Sequence, residues 1–228
     1  MLKYFVSLII VCVGYSTISF AYDNKKTHPS LTEKAVEHAE ESNTFLKEQL
    51  GFTRGYTQFL SNGIKNRKIT DWLQDGSKEE DEPACRAANH FHDPLKPWEE
   101  SQLTDNVWYL DTFFCKPFYP GFRTKYSNIS WATGIKNKDD ELMSANINGT
   151  SVAATNGRNW FVARDYYYQP LTATTPQLRE HYFAETFHTL GYVLHLLEDM
   201  AVPAHTRNDF SSSFPGYSLR NMRGCSVF

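Results

Sequence analysis

The stretch HLLEDMAVPAH, residues 195–205, carries three side chains whose types and spacing could bind a metal ion. His195 and Asp199 are four residues apart, so on a helix both side chains project from one face about one turn apart. Pro203 makes such a helix end or bend just before it, which leaves His205 on the following turn, able to come back toward that face. Alone, the stretch fits a metal site or an ordinary polar helix face equally well.

Further metal-binding residue types lie in three segments upstream of this stretch. YDNKKTHPSLT occupies residues 22–32, GSKEED occupies 76–81 and HFHDP occupies 90–94. Their histidines and carboxylates offer nitrogen and oxygen donors, which suit zinc.

These segments, taken in order with HLLEDMAVPAH, resemble the bacterial zinc-dependent phospholipase C family, which includes the clostridial alpha-toxin type. The resemblance runs from residue 22 to about residue 209. That family shares its all-helical fold with the single-strand nucleases of fungi. The resemblance therefore implies an all-α domain and hydrolysis of a phosphoric ester by metal-activated water.

The resemblance also implies a set of metal ligands and a role for each. The free amino group and carbonyl oxygen of Tyr22, together with the ring of His28, would bind one zinc ion. Asp199 would bridge this ion to a second one. A Tyr can serve at the first position because its ligand atoms would belong to the backbone. An uncleaved N-terminus would remove this site, since an amide nitrogen cannot replace the free amine.

The second zinc ion would be bound by Asp81, His90 and His195, according to the same resemblance. His92 could be the ligand in place of His90, but the HFxDP register favours His90. Two metals held close together lower the pKa of a shared water and hold a phosphate for in-line attack. As a metal-bound carboxylate, Asp81 could act as the general base, the catalytic role proposed for the family.

A third zinc site that the resemblance implies is incomplete in this sequence. Its first ligand would be His205, after which the family has a second histidine and then an acidic residue. No histidine follows His205, and Asp209 is the only later carboxylate. Three explanations stay open: a truncated or frameshifted chain, a two-metal variant, or a decayed enzyme. We therefore expect two zinc ions and no complete third site.

Residues 1–21 have the layout of a secretory signal peptide. Lys3 precedes the apolar run FVSLIIVCVGY, and a small-x-small pattern ends at Ala21. The apolar run is short for a membrane span. We expect cleavage after Ala21, a secreted or periplasmic protein, and one helical domain over 22–228.

The cysteines beyond this segment do not indicate a zinc site. Cys85, Cys115 and Cys225 form no CxxC pair. An exported protein can form disulfides, and Cys85 with Cys115 is the natural pair to test.

Hydrophobic periodicity predicts helices rather than strands. The predicted helices lie at 30–50, as a short pair between 53 and 74, at 158–171 and at 175–201. Ser30 would cap the first helix, with Glu33 three residues on, and Gly51 would end it. Residues from Gly76 to about Ala154 lack periodicity, which predicts long loops with short helices.

Composition narrows the function classes. Of the 228 residues 41% are hydrophobic and 15% aromatic, which is typical of a globular protein. A net charge of −3 does not favour strong electrostatic binding to the phosphate backbone of a nucleic acid. We expect a phospholipid or another phosphate ester as substrate, with peripheral contact to a membrane surface and no obligate protein partner. The alternatives are a single-strand nuclease or nucleotidase of the same fold, and an inactive metal-binding remnant.

Overall fold

Helices make up most of the described part of the chain, so the predicted mainly α class is confirmed. The computed structural model describes residues 25–82, 84–104, 126–135 and 157–208, all within the unit Tyr22–Phe210 of the two units into which the chain divides. The predicted signal peptide, Tyr22, Asp209 and the proposed partner Cys115 lie outside the described residues.

The described helices, in chain order, are α1 (Thr27–His38), α2 (Glu40–Glu48), α3 (Ile69–Glu79), α4 (Asn128–Thr133), α5 (Trp160–Thr172), α6 (Pro176–Asp199) and α7 (Pro203–Thr206). Short 3₁₀ turns cover Gly55–Thr57, Ala84–Asn89 and Trp98–Glu100. Strands β1 (Phe59–Ser61) and β2 (Asn66–Lys68) form an antiparallel hairpin. None of these helices is long and apolar enough to cross a membrane.

The first predicted helix is two helices. α1 begins at Thr27, three residues before the predicted cap, and the amide of Ser30 donates to Lys26 O within the first turn. The helical run breaks at Ala39, whose ψ is 62°. Neither glycine nor proline lies at this break, so local propensity does not predict it. Gly51 has φ of 74° and lies beyond the end of α2, which agrees with its predicted role as a stop.

Of the helical pair predicted between 53 and 74, only the second member is present, as the first part of α3; the first member is wrong, because a 3₁₀ turn and a hairpin precede α3. β1 pairs with β2 so that Leu60 faces Arg67. The turn begins at Asn62, whose Oδ1 accepts hydrogen bonds from two backbone amides farther along the loop. Gly63 follows with φ of 87°. Asn-Gly is a strong hairpin signal, and it outweighs the weak helical pattern around it.

α3 and α6 pack with their backbones unusually close. A Cβ on Gly76 would lie 2.0 Å from His188 O, and a Cβ on Gly191 would lie 2.2 Å from Leu73 O. α3 continues beyond the predicted end at residue 74 and runs through Gly76 to Glu79, and Gly76 serves the close packing of α3 against α6. The close contact places the last turn of α3 beside the C-terminal half of α6.

The core lies where α2, the hairpin, α3 and α6 meet. Trp72 is fully buried, and its Nε1 donates to Leu60 O at 3.0 Å. Burying one large apolar side chain contributes about 1.5–3 kcal/mol, so this cluster holds α3 against α6. Its members are Leu46, Leu50, Phe52, Leu60, Ile69, Trp72, Leu73, Phe183, Ala184 and Phe187.

The predicted helices at 158–171 and 175–201 are confirmed as α5 and α6. Thr175 caps α6 by accepting from the amide of Leu178, and Pro176 occupies its first turn. α6 ends at Asp199, and Val202 is extended before Pro203, as a residue before proline prefers. The predicted break in HLLEDMAVPAH is therefore present.

Candidate metal centre

Asp199 lies at the centre of a buried cluster of histidines. Its Oδ2 atom is 3.0 Å from His90 Nδ1 and 3.4 Å from His195 Nε2. Its Oδ1 atom is 3.0 Å from His205 Nδ1 and 3.6 Å from His28 Nε2. Because Asp199 has no exposed surface, these rings replace the water that a carboxylate normally keeps.

The donor atoms form two adjacent groups that could each hold a metal ion. The first group is His28, His195 and Asp199, and the second is Asp81, His90 and His195. Within each group the ligand atoms lie within 4.8 Å of one another. Asp81 Oδ1 is 3.5 Å from His90 Nδ1 and 3.8 Å from His195 Nε2. The sharing of one histidine places the two groups side by side.

Different elements bring these residues together. His28 comes from the first turn of α1 and stacks on His195 of α6, with ring centroids 3.8 Å apart. Asp81 follows α3, and His90 follows the 3₁₀ turn Ala84–Asn89. His205 lies on α7. The cluster therefore depends on the packing of α1 and α3 against α6.

Asn128, at the start of α4, ties the His90 segment to α6. Its Nδ2 donates to His90 O at 3.2 Å and to Leu196 O at 3.0 Å. A second backbone link joins the same segment to α7, because the amide of His92 donates to His205 O at 3.1 Å. These bonds hold two donor-bearing segments in register.

Three of the clustered histidines also contact an acceptor through their second ring nitrogen. His195 Nδ1 donates to Ser77 O at 2.6 Å. His28 Nδ1 lies 2.8 Å from Glu198 Oε2, and His90 Nε2 lies 3.5 Å from Glu80 Oε1. Such contacts orient a ring and select the nitrogen that faces a metal. Sequence reasoning missed all three acceptors: Glu198 and Ser77 O lie more than 100 residues from their histidines, and Glu80, although ten residues from His90, is not part of any helical spacing with it.

Glu80 is a fully buried carboxylate beside His90. Arg86 Nη2 lies 2.5 Å from Glu80 Oε2, and Trp131 Nε1 donates to Glu80 Oε1 at 2.8 Å. Burial by itself would raise the pKa of Glu80, but the charge of Arg86 and the contact with His90 lower it overall. Glu80 is therefore an anion placed behind the cluster.

The carboxylate of Asp199 and the ring of His90 stabilise each other's charged forms. Burial alone would raise the pKa of Asp199, but the charges of His90 and His195 hold it well below its usual range. Burial likewise lowers the pKa of His90, yet Asp199, with a contribution from Glu80, raises it to about 10. A histidine that binds metal must be neutral, so metal binding here is coupled to proton release.

Several polar atoms of the cluster are buried without a hydrogen bond of good geometry. They include His195 Nε2, both carboxylate oxygens of Asp199 and His205 Nδ1. Buried polar atoms without partners are costly. A cation would satisfy carboxylate oxygens and imidazole nitrogens together, so the donor set fits a metal ion.

The structure places most of the predicted ligands in one cluster: His28, Asp81, His90, His195, Asp199 and His205. Tyr22 lies outside the described residues. His205 approaches Asp199 itself, and no third metal-binding group occurs among the described residues. His92 belongs to neither group, and His188 pairs instead with Glu79 at 3.0 Å.

The comparisons with known proteins provide no further evidence about function. Comparisons with family models, with curated proteins and with solved structures gave no match. Any function must therefore be argued from the chemistry of the cluster and from the motifs that supply it.

Proposed function

We propose that this chain is an exported, zinc-dependent phosphoric ester hydrolase of the phospholipase C type. The observation that carries the proposal is the buried Asp199, which forms one potential metal-binding group with His28 and His195 and lies beside a second group that shares His195. The order of the motifs along the chain supports it, because HPSLT, GSKEED, HFHDP and HLLEDMAVPAH supply these groups in turn.

The donor set suits a pair of zinc ions. His28 and the backbone of Tyr22 would hold one ion, and Asp81, His90 and His195 would hold the other. Asp199 would contact both through its two oxygens, and its negative charge would offset part of two dications. Zinc, when bound, supplies a water of lowered pKa and neutralises charge on the phosphoryl oxygens.

Asp81 is the best-placed general base in this cluster. Its side chain is 19% exposed, whereas those of Asp199 and His195 are fully buried. Its carboxylate therefore reaches both the buried donors and solvent, where a substrate must arrive. A general base needs this double access, to take a proton from the attacking water and release it to bulk water.

The test is metal content and substrate preference of the purified protein. We expect about two zinc ions per chain and hydrolysis of a chromogenic choline-phosphate ester. A chelator should abolish the activity, and added zinc should restore it. Hydrolysis of single-stranded DNA alone would replace the phospholipase proposal with a nuclease. Fewer than two zinc ions and no hydrolysis would indicate a metal-binding protein without catalysis.

A further inference from the structure

Glu198 contacts two buried residues of α1 while its neighbour Asp199 enters the metal cluster. Glu198 Oε2 lies 2.8 Å from His28 Nδ1, and Thr32 Oγ1 donates to Glu198 Oε1 at 2.9 Å. His28 and Thr32 are 3% and 0% exposed. Both carboxylate oxygens are therefore engaged, each by a different side chain.

The helical geometry explains why adjacent residues reach opposite ends of one ring. Consecutive helical positions differ by about 100° around the axis. Glu198 and Asp199 therefore leave α6 in different directions and meet His28 at Nδ1 and Nε2 respectively. On α1, His28 and Thr32 are four residues apart and share the face that meets Glu198.

We propose that Glu198 is a positioning residue for the metal ion bound through His28 Nε2, an inference that rests on the proposed metal centre. An ionised carboxylate only accepts hydrogen bonds, so His28 Nδ1 must carry the hydrogen. The lone pair is then left on Nε2, 3.6 Å from Asp199 Oδ1. The negative charge of Glu198 also makes the ring a stronger ligand.

Thr32 holds the carboxylate in this position. Its hydroxyl donates to the oxygen that His28 does not use, which restricts rotation of the Glu198 side chain. His195, in contrast, is oriented by the backbone carbonyl of Ser77. A substitution at Glu198 therefore affects the orientation of the His28 ring and leaves that of His195 intact.

The experiment is a zinc titration of wild type, Glu198→Gln and Glu198→Ala in competition with a chromophoric chelator. We expect Glu198→Ala to weaken one zinc site by about 10–100-fold, the usual effect of losing such a partner. The other zinc should bind within about twofold of wild type. The zinc affinity of Glu198→Gln should lie between those of wild type and Glu198→Ala, because the amide oxygen still accepts from His28 but carries no charge. Thr32→Val should produce a smaller loss at the same site.

A double variant separates positioning from a general tie between α1 and α6. In a His28→Ala background, Glu198→Ala should cause no further loss of zinc affinity, and any further loss would overturn the inference. Circular dichroism with chelator present checks the fold, and Glu198→Gln carries the test if the alanine variant unfolds. Two zinc ions bound with wild-type affinities in the Glu198 variants would overturn the inference but leave the metal centre standing. Failure of wild type to bind zinc would overturn both.

Discussion

The two oxygens of Asp199 lie 3.0 to 3.6 Å from ring nitrogens of four histidines. A fully buried carboxylate needs compensating charge, because desolvation of an unpaired anion is strongly unfavourable. Here imidazoles surround it, and a cation between them would complete the compensation. At the scale of single residues, the cluster therefore depends on Asp199 more than on any one histidine.

Asp199→Asn should remove most bound metal from both groups. The amide keeps the shape of the side chain but loses the negative charge and one acceptor oxygen. We expect zinc, measured by mass spectrometry on the purified variant, to fall from about two ions to fewer than one per chain. His188→Gln is the matched control, since His188 is buried on the same helix yet belongs to neither group. Normal zinc content in Asp199→Asn would rule out the bridging role.

Glu79 should stabilise the fold in a pH-dependent way. Its pKa is lowered from 4.5 to about 2, first by the hydrogen bond from His188 and against the effect of burial, with help from Lys65 and Tyr192. Because the folded pKa lies below the unfolded one, this stabilisation is complete above about pH 4.5 and is lost as the pH falls toward 2. Its size should be about 1–2 kcal/mol after allowance for solvent screening.

The measurement is urea unfolding of wild type and Glu79→Gln, with chelator present so that metal loss does not contribute. Glu79→Gln should be less stable at pH 7, and the difference should shrink steadily below pH 4.5. A difference that stays constant down to pH 2.5 would show that the charge of Glu79 is not its source.

At the scale of elements, the contact between α3 and α6 determines the geometry of the cluster. Gly76 and Gly191 let the two backbones approach closely. One residue beyond Gly76, the carbonyl of Ser77 receives the hydrogen bond from His195. The packing of the two helices and the orientation of the His195 ring are therefore linked. A larger separation of α3 and α6 would disturb the hydrogen bond that orients the ring.

Gly191→Ala should destabilise the fold although alanine is the better helix former. Alanine favours a helix over glycine by up to about 1 kcal/mol. A Cβ 2.2 Å from the backbone oxygen of Leu73 cannot be relieved by a side-chain rotation, so the helices must separate. We expect a net loss of about 1–3 kcal/mol in chemical denaturation, as for other overpacked sites, together with weaker zinc binding.

Leu197→Ala is the control for this substitution. Leu197 lies on the same helix near the cluster but is 67% exposed. A surface change of this kind should alter stability by less than about 0.5 kcal/mol. A stabilised Gly191→Ala variant would mean that α3 and α6 adjust without strain.

At the scale of the whole molecule, metal would join segments that are distant in the chain. His28 lies on α1, His90 follows the 3₁₀ turn Ala84–Asn89, and Asp199 ends α6. An ion bound only by the folded state stabilises that state by mass action. The proposed ions would therefore add to the stability that the apolar core provides.

Removal of metal should lower the melting temperature. Free zinc at 100 times its dissociation constant contributes about 2.7 kcal/mol at one site. For a domain of this size each kcal/mol corresponds to about 2–4 °C, so we expect chelator to lower the melting temperature by about 5–11 °C for each occupied site. Thermal scans with and without chelator measure it, and Asp199→Asn should show almost no shift. Identical melting temperatures for wild type with and without chelator would contradict a stabilising metal centre.

Local patterns in the sequence were sufficient for the long helices and for the central pair of the cluster. Periodicity predicts α5 and α6, and the four-residue spacing places His195 and Asp199 on one face of α6. These local patterns failed where a glycine lies inside a helix because close packing requires it. The pattern predicts no long helix beyond residue 74, yet α3 continues through Gly76 to Glu79, and the missing side chain of Gly76 leaves space for the backbone of α6.

By itself, then, the sequence determined the helical class, the break before Pro203 and the residue types available to bind a metal. The resemblance carried by the sequence already implied that His28 and His90 lie near Asp199, whereas only the tertiary structure decided that Glu198 and Glu80 lie behind their rings. The physical reason is that the spacing of residues along the chain specifies only the directions in which their side chains project from one helix. Burial, and the partner of each ring nitrogen, depend on how α1, α3 and α6 pack, which involves residues far apart in the chain.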